Sequence, residues 1–251
     1  VIKDCLLQCM GSDYVLPKSW ENLYKEFVNK VWAPYAPNDR QEILYERFKD
    51  LEPSIGYKML KELIVNGFIQ YVITTNFDML LDKTLSDVPH NVQVSDLPVR
   101  KHKGGSNIFV FKVHGDIENG NLRFSPNELI ELPKTIGENI NHFSKNNCLI
   151  CGYRGQDEGI MKNLNDECKY SSFWASPNLP LISDVYETEK IYSWMTKRNS
   201  KDNFIYGDSL GAFDELMSKL AFSLLNDKQN ILIPYYWDNN AIPNCIKTHQ
   251  K

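Results

Sequence analysis

Three short apolar runs in this chain each break into a polar or glycine-bearing signature, and helical stretches separate them. FIQYVITT runs into Thr75, Asn76 and Asp78; NIFVFKVHGDI closes on His114, Gly115 and Asp116; NCLICGY ends at Gly152. SSFWASP and NFIYGD are fourth and fifth strand candidates. Short apolar strands alternating with helices predict an α/β fold: a doubly wound, mostly parallel, Rossmann-like sheet with helices on both faces. Ligands of such sheets sit outside the carboxyl ends of the strands, where the three signatures would meet.

Apolar residues at spacings of three and four predict a helix from Trp20 to Trp32, with Ser19 as its N-cap. Further helices are expected over Asp39–Leu51, from Pro53 or Ser54 to Val65 with a stop at Asn66-Gly67, and over Asp78–Leu85. A helical insert fills Pro126–Lys145, and Asp157–Lys169, Ser183–Lys197 and Gly211–Leu225 complete the set. The polar stretch Pro89–Gly105 reads as a connection, and Arg100–Lys103 within it as a solvated basic loop.

A net charge of −4 and a pI near 5.8 lack the basic footprint of a phosphate-backbone binder, so direct nucleic-acid binding is not expected. No apolar run reaches the roughly 18 residues of a membrane span. No signal peptide is visible, and a cytoplasmic location is expected. Of six cysteines, Cys148 and Cys151 form a lone CxxC inside a strand-like run, without the second pair that a structural zinc site needs.

The segment YVITTNFDMLLDKTL resembles the T/Q-N-x-D segment of sirtuin-type NAD-consuming domains, and FKVHGDI resembles their strand ending in His-Gly. LICGYRGQDEGIM is similar to the G-Y-S/R-G-x-D segment of prokaryotic SIR2-like proteins of antiphage defence, and NFIYGDSLGAFDELMSKL to their closing strand and helix. The resemblance runs from about Trp20 to Leu225. It implies a SIR2-like domain over residues 1–227, with 228–251 as a tail or the start of a linker.

Two departures stand out. The family's G-A-G-x-S phosphate loop is reduced to Gly11 and Ser12 in CLLQCMGS; it is either degenerate or supplied by residues outside this sequence. The four-cysteine zinc module of protein-deacylating sirtuins has no counterpart between Asp116 and Cys148. The resemblance therefore points to the NAD hydrolase branch, with NAD as substrate, no metal, self-association, and a defence-system partner or fused sensor domain.

Losing nicotinamide from NAD breaks a C–N glycosidic bond through an oxocarbenium-like state, and the neutral pyridine leaves without a proton. The paired carboxylates of ordinary glycosidases are then unnecessary. His114 suits a base or a partner of the ribose hydroxyls, and Asn76 can orient water or ribose. The bland alternatives are a structural strand-end histidine and a helix-capping asparagine. By resemblance, Asp78 would meet the nicotinamide amide and Thr75 the ribose, while Tyr153 and Arg154 would flank phosphate or ribose. Gly152 permits either close backbone approach or a tight turn, Ser12 would belong to the phosphate loop, and Gly207 and Asp208 would line the adenosine end. A degenerate, non-hydrolysing domain that senses NAD or ADP-ribose is the competing expectation.

Overall fold

Parallel pairing dominates the strands and helices lie against both faces, as the alternating pattern requires. The computed structural model describes residues 2–18, 20–123, 126–167, 169–176, 185–206 and 212–225. Ser19, Gly207, Asp208 and the tail from 228 onward therefore lie outside the described residues.

The chain opens with helices α1 (Ile2–Met10), α2 (Trp20–Phe27, running into a π-helical turn at Val28–Trp32), α3 (Pro37–Phe48) and α4 (Ile55–Val65). Strand β1 (Tyr71–Thr74) is followed by α5 (Leu80–Thr84), β2 (His90–Val94), β3 (Arg100–His102) and β4 (Phe109–Lys112). Then come α6 (Pro126–Ile130), α7 (Lys134–Phe143), β5 (Cys148–Cys151), α8 (Glu158–Asn163), β6 (Ser172–Ser176), α9 (Val185–Lys197), β7 (Phe204–Tyr206) and α10 (Phe213–Leu225).

The strands form two sheets, ordered β1-β4-β2-β3 and β5-β6-β7, parallel throughout except for the β2/β3 pair. The connection expected across Pro89–Gly105 is thus two strands, and the basic cluster is an edge strand rather than a loop. Its exposed Arg100 and Lys101 put charge on an edge that would otherwise invite pairing. Polar residues disguise β2: Asn91 donates to the Ser106 carbonyl, and Gln93 Oε1 accepts from Asn139 Nδ2 at 2.9 Å.

One apolar cluster joins the sheets. Val72 and Val110 of the first and Leu149, Ala175 and Ile205 of the second pack with Leu60 and Leu63 of α4 and Leu216 and Met217 of α10. On the other face of the first sheet, Phe111 and Val113 pack against Ile136 and Ile140 of α7. A separate layer from α1 to α3 lies over Phe77 and Ile117.

Helix α4 stops as its sequence suggests: Gly67 (φ +79°) closes a Schellman turn, with Phe68 N bonding Leu63 O and Gly67 N bonding Ile64 O. Its start is held from afar. Asp214 of α10 accepts from Ser54 Oγ (2.5 Å) and Gly56 N (3.1 Å), a cap delivered across 158 residues of chain. Asp214→Ala is expected to cost about 1–2 kcal/mol, read as a lower urea midpoint with unchanged slope. A change below about 0.3 kcal/mol would show that water replaces this cap at no loss.

Candidate active site

The register of the first sheet decides which strand-end residues meet. Thr74 of β1 pairs with Lys112 of β4, so Asn76 and His114, each two residues further on, leave neighbouring parallel strands side by side. Val94 of β2 pairs with the same Lys112, and Asp96 beyond it meets Arg123, a cation that acts on His114, at 3.7 Å.

Backbone contacts extend beyond the strands. Val113 N donates to Thr74 O (3.0 Å), Ile117 N donates to Phe77 O (3.0 Å), and the His114 ring hydrogen-bonds the Thr75 backbone. The chain reverses after His114 through Gly115, whose φ of +81° favours glycine and whose added Cβ would lie 2.3 Å from the Asn121 carbonyl oxygen. Asp116 is fully buried, its carboxylate accepting from Glu118 N (3.0 Å) and from both nitrogens of Asn119 (2.5 Å and 2.9 Å).

Asn76 is exposed, whereas His114 is only 7% exposed. Its Nε2 is buried with no hydrogen-bond partner among the described residues. A buried orphan of this kind is costly unless something occupies the position. Burial, reinforced by the nearby Arg123 cation, pushes the imidazole pKa down to about 4. At neutral pH the ring is therefore uncharged, with Nε2 free to accept a proton.

Asn76 does not cap the following helix. That task falls to Asp78, whose Oδ1 accepts from Leu80 N at 3.0 Å. Burial raises the Asp78 pKa above its ordinary value. Asn76 Nδ2 instead points to Tyr57 Oη of α4 at 3.4 Å. Tyr57, its pKa pushed up to about 12 chiefly by burial and then by Asp78, also feels Cys151 at the end of β5. Nothing in the sequence singled it out.

After β5, Gly152 adopts φ +68°, a turn conformation that favours glycine, and the space around it is open. Tyr153 packs into the core beside Trp174, ring centroids 5.9 Å apart, and its hydroxyl donates to Asp157 O. Arg154 is exposed, as is Ser12, whose hydroxyl reaches Asp13 at 3.5 Å. Asp157 occupies the N-cap position of α8 without a side-chain cap bond, and burial lifts its pKa to about 6.

Cys148 and Cys151 belong to clusters on opposite faces of β5, so their thiols do not converge. Burial pushes Cys151 up to about 11 and raises Cys148 as well, the wrong direction for thiolate ligands. No group of three metal-ligating side chains converges among the described residues, and no described helix is long and apolar enough to cross a membrane. A groove of about 450 Å³ runs along α7 and α8 past Lys134, Asn141 and Lys162. None of the strand-end residues lines it.

Fold and site together define a parallel-dominated α/β class with a polar cluster at the strand ends. Residues 70–178 match the family model of the SIR2-like domain, a stretch that includes Asn76, His114 and Gly152. SIR2-like domains use NAD, which ties this region to NAD-related chemistry. No curated protein matches the chain.

Proposed function

We propose that the domain hydrolyses NAD, releasing nicotinamide and leaving ADP-ribose. The observation that carries this reading is that neighbouring strand exits within the SIR2-like segment carry an exposed Asn76 and a buried His114 whose Nε2 has no partner among the described residues. As the C–N bond opens, nicotinamide leaves as a neutral base and positive charge spreads over the ribose. The Asn76 amide orients the ribose or the incoming water, and neutral His114 takes the proton as water oxygen bonds to the anomeric carbon. The released proton balances the reaction: NAD⁺ and water give nicotinamide, ADP-ribose and H⁺.

By the same resemblance, the domain acts in the cytoplasm as the NAD-depleting effector of an antiphage system. It self-associates and answers to a defence partner or fused sensor domain. A second reading, an NAD or ADP-ribose sensor without turnover, draws support from the exposed Ser12, which follows a helix and not a glycine-rich strand turn. Purified protein, alone and with candidate activators, is expected to release nicotinamide from NAD with ADP-ribose in equal amount. Saturable NAD binding with no nicotinamide under any of these conditions would favour the sensor.

A further inference from the structure

Lys112 is 1% exposed at the carboxyl end of the apolar strand β4. Leucine or methionine would fill that space without an ammonium to desolvate, and burying a charge is costly unless its partners are well placed. Its Nζ meets Asp82 Oδ2 at 2.6 Å, the Asp78 carbonyl at 2.9 Å and Asp116 Oδ2 at 3.4 Å. Asp78 lies two residues after Asn76, and Asp116 two residues after His114. One ammonium thus grips both strand-exit turns just beyond the two side chains that matter, and Asp82 fixes it to α5.

We propose that Lys112 is the positioning residue of this site, clamping the turn that carries Asn76 to the turn that follows His114 and so setting the separation of the two side chains. The proposal rests on the NAD hydrolysis reading for its kinetic consequence, though not for its geometry. The clamp acts on placement and makes no contact with the reacting atoms. Its loss lowers turnover more than affinity, because misplacing reacting groups by about 1 Å costs on the order of 100-fold in rate.

The test pairs Lys112→Met with Asp82→Asn in one chain, removing both partners of the 2.6 Å ion pair, while the Asp116 carboxylate keeps its hydrogen bonds from Glu118 N and from both nitrogens of Asn119. This double variant is expected to melt within a few degrees of the parent and to show kcat for nicotinamide release about 100-fold lower, with KM changed less than about threefold. A kcat within about threefold of the parent, in a variant that melts like the parent, overturns the clamp. If the double variant does not fold, Asp82→Asn alone loosens one leg of the grip and is expected to lower kcat about 10-fold; an unchanged kcat overturns the proposal equally.

Titration of the His114 ring by NMR in isotopically labelled protein, assigned with His114→Gln, supplies a reading independent of turnover. Separated turns admit water to the imidazole, so its midpoint should rise in the double variant, and a midpoint equal to the parent's overturns the clamp. If the parent itself releases no nicotinamide, the hydrolase reading fails alone, and the His114 midpoint still decides the clamp.

Discussion

Replacing Asn76 by alanine, or His114 by glutamine, is expected to lower nicotinamide release by about 10²–10⁴-fold while the protein keeps its fold. Asn76 is exposed, and its side chain makes one long contact, 3.4 Å to Tyr57, so truncation removes little that stabilises the chain. His114 is buried, and alanine there would leave a cavity as well as strip the Thr75 contact. Glutamine keeps a donor for the Thr75 backbone and most of the volume, yet cannot take a proton near neutral pH. Thermal melting of each variant separates lost chemistry from lost structure. If both melt like the parent and still release nicotinamide at the parental rate, the strand-end pair is not the catalytic apparatus. Tyr57→Phe is the companion control: it removes the hydroxyl that Asn76 meets and should lower turnover less than either main substitution.

Much of this architecture is legible in the sequence where apolar runs decide it. YVIT, FVFK and CLIC occur as strands because their polar residues come only at the carboxyl end, and TTNFD and HGD follow where polar groups leave the apolar layer. HNVQV escaped notice as β2 because Asn91 and Gln93 look solvent-seeking. Half-buried Asn91 and buried Gln93 are satisfied by partners far along the chain, a carbonyl at Ser106 and an amide at Asn139, which periodicity cannot reveal. Within the site, residue identity gave Asn76 and His114, and the parallel register brings them side by side. Tyr153 reads equally well as ligand or core from sequence, and its contact with Trp174 places it in the core. Lys112 carried only a weak signal: it stands between Phe111 and Val113, but adjacent strand residues face opposite sides, so apolar neighbours leave its own face undetermined. What no pattern supplies is which acids answer it.

The buried histidine should also leave its mark on stability. His114 titrates at about 4 in the folded chain against an ordinary value of 6.5, because burial and Arg123 disfavour its charged form. Between those two values the unfolded chain binds a proton that the folded chain refuses. The His114 contribution therefore falls as pH drops from about 6.5 to about 4 and is constant outside that window. Asp157 works in the opposite sense. Its folded pKa of about 6 lies above the ordinary 3.8, so its contribution is fully present below 3.8 and is lost as pH rises through 6. The two effects oppose one another over most of the same range, and the parent's own pH profile conceals both. Comparing the parent with His114→Gln removes the Asp157 effect, which both chains share. Going from pH 7 to 4.5, the variant should gain roughly 2 to 3 kcal/mol relative to the parent, measured by urea unfolding at each pH. Turnover by the parent should hold level from pH 8 to about 5 as far as His114 is concerned, and fall only as the pH nears the folded value of about 4. A stability difference between the two chains that does not change with pH would mean that His114 is hydrated and ordinary in solution, and the buried neutral base on which the hydrolytic reading depends would be lost with it.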